Sequence, residues 1–264
     1  MATEIDYLTH LRTESARFAE VLQDAPADAQ VPTCPDWTTD DLLWHLGEVQ
    51  WFWGTVVRDA VTDPSTLDHP ERPADRAGLI EFFEAASTTL QKTLAETAPQ
   101  EPRWTWSEEQ TAGFTRRRQA HEALIHRLDA ELTADVERTR MDPALAADGV
   151  DEALRIMFGG APEWGRTVPE AGSTLRIRSS DTDRSWLVTL GRFTGTDPEG
   201  TVRDEPDIVV ADTDPGDQAA ATVTGTAADL DCWLWGRPTV GTVERSGDDQ
   251  VQTRFQAILD QGVD

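Results

Sequence analysis

At 264 residues the chain has length for one large domain or two ordinary ones, and enough to bury a substantial core. Its formal net charge of −26 excludes the broad basic footprint that binding to a phosphate backbone requires, so nucleic acid is not an expected partner. No apolar run approaches a membrane span, and its two cysteines, Cys34 and Cys232, do not make a disulfide framework, so a soluble cytoplasmic protein with no membrane partner is expected.

The opening segment, MATEIDYLTHLRTESARF, has no apolar signal core and reads as a helix over residues 4–23, with Ile5, Leu8, Leu11, Phe18 and Leu22 on one stripe. A second helix follows Cys34 and Pro35. Thr38 is its N-cap, Asp40 and Asp41 occupy the first turn where the helix dipole favours them, and Leu42, Leu46, Val49, Trp53 and Val56 form its apolar face. A Pro- and Asp-rich connection over 62–75 leads to a third helix at about 75–97, with Leu79, Phe83, Leu90 and Leu94 inward. The fourth covers about 113–135. Four amphipathic helices with polar joints predict an antiparallel four-helix bundle.

Beyond about residue 160 the pattern alternates. STLRIRSSD (173–181) and RSWLVTLGRF (184–193) read as a hairpin, and DIVV (207–210), AATVTG (220–225) and TVERSG (242–247) as shorter strands. TAADLDCWLWGR is a helix opened by Thr226, and DDQVQTRFQAIL (248–259) a terminal helix. The expected fold class is therefore α plus α+β: a bundle over 1–150, then a small α+β domain over 165–264, with 145–165 supplying a linking helix.

Five histidines narrow the chemistry: His10, His45, His69, His121 and His126. The stretch AHEALIH looks like a zinc-protease helix, but it carries one residue too many. At about 100° per residue His121 and His126 point about 140° apart, whereas Glu122 and His126 share a face one turn apart. Such a pair suits a carboxylate and an imidazole as co-ligands. His45, set among Leu42, Leu46 and Val49, points into the bundle and can complete a two-histidine, one-carboxylate set, the pattern of a catalytic site with zinc favoured. Spacing alone leaves an ordinary alternative open, in which Glu122 simply pairs with Arg118 or His126.

Two stretches resemble the signature helices of the mycothiol-dependent maleylpyruvate isomerase family, an actinobacterial branch of the DinB/YfiT-like metal-binding four-helix bundles. They are TCPDWTTDDLLWHLGEVQWFWGTVV (33–57) and RRRQAHEALIHRLDAEL (116–132), while TVTGTAADLDCWLWGR (222–237) resembles the family's C-terminal domain of sterol-carrier type. The resemblance implies a divalent metal, usually zinc, held by His45, Glu122 and His126. It also implies a low-molecular-weight thiol such as mycothiol, used by a thiol S-transferase or by an isomerase of the maleylpyruvate type acting on a small electrophile. Proteins of this kind are monomers or homodimers.

The same resemblance makes Arg237 a catalytic candidate that binds a substrate carboxylate bidentately, against the alternative of a helix cap or ion pair. Asp129 can orient a ligand or pair with Arg127 or Arg118. His121 is expected at the bundle exterior, Trp44, Trp51 and Trp53 in packing, and Cys34 as an ordinary small thiol. Arg116–Arg118 are expected to pair with local carboxylates or bind a small anion. Two further functional readings stay open: a metal-dependent hydrolase, and a non-enzymatic metal-stabilised bundle fused to a ligand-binding domain.

Overall fold

The capping signals in the sequence start the helices of the first half close to where they are expected. Thr38 opens α2 (Thr39–Arg58) with a capping box: its hydroxyl accepts from the Asp41 amide while Asp41 accepts from the Thr38 amide at 2.8 Å. Asp6 caps α1 (Tyr7–Gln23), Asp75 caps α3 (Arg76–Glu96) and Thr111 caps α4 (Ala112–Thr133). Two short strands that the sequence did not suggest, β1 (Gln30–Val31) and β2 (Cys34–Thr38), form an antiparallel pair before α2. This computed structural model describes residues 5–213, 216 and 219–262. Glu4, the expected start of the first helix, lies outside the described residues.

The chain divides into two units, Met1–Arg140 and Met141–Asp264. In the first, Phe18, Leu22, Leu42, Leu46, Leu79 and Phe83 make one buried cluster. Residue pairs establish the helix directions. Arg127 bonds Glu14, and Arg17 bonds Glu131, so α1 and α4 run the same way. Gly47 of α2 lies against Phe82 and Phe83 of α3, and Gly54 lies against Leu90, so α2 and α3 are also parallel. Phe18 meets Phe83 while the Leu22 carbonyl accepts from Arg76, which sets α1 against α3. The bundle thus has two helices in each direction, but the 59–75 connection joins parallel neighbours where a simple up-and-down order would reverse. A Cβ at Gly54 would stand 3.4 Å from the Leu90 backbone, an ordinary contact distance that puts α2 and α3 side by side there.

The expected aromatic packing is present. Trp53 stacks on Trp104 with centroids 6.1 Å apart, and Trp44 packs on Phe82 at 5.0 Å. Arg127 is fully buried between carboxylates: Nε donates to Glu14 and Nη1 to Glu131, each at 2.7 Å. Glu131 also accepts from the Thr139 amide and hydroxyl.

The second unit is a five-stranded mixed sheet in the order β5-β4-β3-β6-β7. The predicted hairpin is β3 (Gly165–Ser179) against β4 (Ser185–Thr196), antiparallel, with an irregularity between Pro169 and Thr174. β5 (Val202–Val210) extends one edge; β6 (Ala221–Gly225) pairs parallel with β3, and β7 (Glu244–Gly247) closes the other edge. Leu175, Ile177, Trp186, Val188, Leu190 and Val223 alternate inward, as period-two patterning requires. The terminal helix α7 (Asp249–Leu259) packs across β3, β4 and β6 through Val251, Phe255 and Ile258. The expected linking helix is α5 (Pro143–Glu152), which continues as one π-helical turn over Ala153–Met157 and packs on α6 (Ala227–Leu234). Thr226 caps α6 as its sequence indicates.

Candidate metal centre

α4 presents Glu122 and His126 one turn apart on one face, and α2 carries His45 to the same point. His126 Nε2 lies 3.1 Å and His45 Nε2 3.4 Å from one oxygen, Glu122 Oε1. The two imidazoles meet edge-on with centroids 4.8 Å apart. One donor atom from each of the three residues lies within 4.8 Å of the other two. Donors about 2.0–2.1 Å from a tetrahedral zinc stand roughly 3.3 Å apart, so small side-chain adjustments suffice to hold a divalent cation.

The surroundings orient these donors. His126 Nδ1 faces Asp129 Oδ2 at 3.0 Å, and the Thr33 hydroxyl donates to Asp129 Oδ1 at 2.6 Å. This arrangement pins the ring and aims Nε2 at Glu122 and His45. Arg118, four residues before Glu122, donates from Nη2 to Glu122 Oε2. Trp37 on β2 covers His45 with ring centroids 4.6 Å apart and lies 6.3 Å from His126. His126 and Glu122 are mostly enclosed, while the His45 side chain remains 32% exposed, so the donor set opens to solvent on the α2 side.

Electrostatics follow from this packing. Burial pushes the Glu122 carboxyl up, but the Arg118 guanidinium and His126 outweigh it and hold the carboxyl well below the usual range. Burial pushes His126 down, but Glu122 and Asp129 outweigh it and raise the imidazole to about 9. Without a metal the pair is therefore ionised at neutral pH. A folded-state value raised above the unfolded one gives stability that is fully present below about pH 6.5 and lost as pH rises through about 9. Metal-free protein is expected to lose on the order of 3 kcal/mol over that interval. Thermal melts in chelator from pH 6 to 9.5 check it, and a melting temperature that is flat or rising would contradict it.

The other sequence candidates are distributed as follows. Asp129 is fully buried and serves His126, while Arg127 takes Glu14 and Glu131. Of the arginine run, Arg118 takes Glu122, and Arg116 donates to the Leu94 and Thr97 carbonyls at the end of α3. His121 corrects the expectation of an exterior position: it is buried, edge-on to Tyr7 at 6.2 Å. Cys34, half-buried against the core, is not part of the donor set. His69 packs on Trp51 and Phe52, with Nδ1 3.4 Å from Glu48. Arg237 lies just past α6 in the second unit, where Nη1 donates to the Trp235 carbonyl at 2.7 Å. Thr33 and Trp37 are the site residues that sequence reasoning missed. Both stand in the TCPDWT stretch that leads into α2.

Two family models match the chain in succession. Residues 8–131 match the mycothiol maleylpyruvate isomerase N-terminal domain, and residues 144–252 match the C-terminal domain of the same family. The chain belongs to this family. Within the mycothiol maleylpyruvate isomerase family architecture, His45, Glu122 and His126 all fall in the N-terminal match and Arg237 in the C-terminal one. The fold is also that of a solved mycothiol-dependent maleylpyruvate isomerase and of its histidine-to-alanine mutant. Each shares 15% identity with this chain at a TM-score of 0.57, over 92% of this chain and 93% of that one. No functionally curated protein matches the chain in sequence.

Proposed function

We propose that this family member is a divalent-metal enzyme that uses a low-molecular-weight thiol of the mycothiol type to isomerise a small electrophilic alkene or to add that thiol to it through sulfur. The observation that carries the reading is the convergence of two imidazole Nε2 atoms on a single oxygen of Glu122. The donor chemistry fits a borderline divalent ion such as zinc, with three protein donors. When bound, the metal supplies a Lewis acid that lowers the pKa of a coordinated thiol.

The chain's own residues do the rest. Asp129 and Thr33 hold the His126 ring, so its Nε2 stays directed at the donor set. Trp37 shields one side of His45 from water, while the exposed side of that ring leaves an approach for a thiol. Arg237 is assigned to a substrate carboxylate, which its planar fork suits. Addition of the thiolate sulfur to a cis double bond leaves a single bond about which the adduct rotates. Elimination then restores the free thiol and releases the trans isomer, so the thiol is regenerated.

The test is turnover of maleylpyruvate by zinc-loaded protein, with and without mycothiol. Thiol-dependent loss of the cis substrate supports the reading; the absence of both bound metal and thiol dependence overturns it. Two variants refine it. Asp129→Asn is expected to weaken metal binding by about 10- to 100-fold in chelator competition, because the imidazole loses its anionic support. Arg237→Lys is expected to raise KM by roughly tenfold or more at unchanged metal content, since an ammonium cannot reproduce a bidentate contact. An unchanged KM would remove Arg237 from the substrate site.

A further inference from the structure

We infer that Arg118 is a positioning residue that restricts Glu122 to donating through one oxygen, and thereby keeps a coordination position open beside the two histidines. The inference deepens the metal reading above and rests on it.

The two oxygens of Glu122 are divided between different partners. Oε1 faces His126 Nε2 at 3.1 Å and His45 Nε2 at 3.4 Å, whereas Oε2 accepts from Arg118 Nη2. Arg118 stands four residues earlier on α4, so the two side chains lie on one face of the helix. Its side chain is 6% exposed and that of Glu122 16%, an enclosure in which a charge-assisted hydrogen bond competes with little water.

The consequence is a matter of counting. Two imidazoles and one carboxylate oxygen make three donors, and a four-coordinate ion keeps one position for an outside ligand. A carboxylate free to chelate would offer both oxygens, add a fifth donor beside the outside ligand and leave a small thiol to compete with protein. A plain i,i+4 ion pair would steady the helix slightly and leave the coordination number untouched.

Cobalt(II) reports coordination number directly, because four-coordinate cobalt absorbs visible light more strongly than five-coordinate cobalt. Wild type, Arg118→Met and Arg118→Lys are loaded to one cobalt per chain, with occupancy measured by elemental analysis. Wild type is expected to show the strong bands and Arg118→Met bands several-fold weaker, with Arg118→Lys recovering much of the intensity. The double variant Arg118→Met with Glu122→Gln guards against a folding defect. A carboxamide coordinates through its single oxygen, so this variant is expected to regain strong bands without any guanidinium. Equal spectra for wild type and Arg118→Met at equal occupancy would overturn the role of Arg118 and leave the metal site standing. A wild type that takes up no cobalt would overturn the metal reading itself.

Discussion

Alanine at His45 or at His126 is expected to remove the metal and to reduce thiol-dependent turnover by at least about a hundredfold, since deleting a ligand should exceed the 10- to 100-fold cost of deleting its support. The two variants should nevertheless differ in stability. The His45 side chain is a third exposed, so its truncation leaves the fold nearly intact. His126 is buried and compensates both Glu122 and Asp129, so its loss takes from the buried Asp129 the imidazole that faces it. Metal analysis with thermal melts in chelator separates the outcomes. Both variants should be metal-poor, but only His126→Ala should melt several degrees lower. Wild-type metal content in either variant would refute the ligand assignment.

The second large effect lies away from the site. Arg127→Met is expected to destabilise the helical unit by about 3–5 kcal/mol, because it leaves Glu14 and Glu131 buried without their shared cation. For a chain of this size that is a fall of roughly 10 °C or more in melting temperature. Arg17, which also reaches Glu131, compensates only part of the loss. Adding Glu14→Gln to Arg127→Met should recover much of the stability, since that removes the orphaned charge that Arg17 does not reach. A melting temperature for Arg127→Met within 2 °C of wild type, on the scale of roughly 2–4 °C per kcal/mol, would show the network to be incidental.

Much of this fold was legible because its signals are local. The capping residues Thr38 and Thr226 mark helix starts through contacts three residues away, and Glu122 and His126 are one turn apart on any helix. What the sequence did not reveal depends on long-range geometry. Thr33 and Asp129 meet across 96 residues, and no periodicity announces such a contact. β1 and β2 are too short, and the second too broken by Pro35, to show an alternating pattern. His121 exposes a limit of the helical wheel. The angles placed it away from Glu122, but α4 is buried nearly all round, so facing away from the site did not mean facing solvent. The direction of α3 was hidden for a related reason: a polar connection reads the same whether it turns back or runs the length of its neighbour.

That connection sets a physical minimum on the chain. Arg76, the first residue of α3, pairs with Asp40 near the start of α2, and Arg72 pairs with Asp41 at 2.6 Å. Residues 59–75 must therefore travel back along the whole of a 20-residue helix, about 30 Å. A fully extended chain covers about 3.3–3.6 Å per residue, so roughly nine residues is the shortest strap that still lets α2 and α3 lie parallel. Shortened relatives of this protein can lose residues here only down to that length. Below it, α3 would have to reverse, and Phe83 and Leu90 would part from the glycines that receive them.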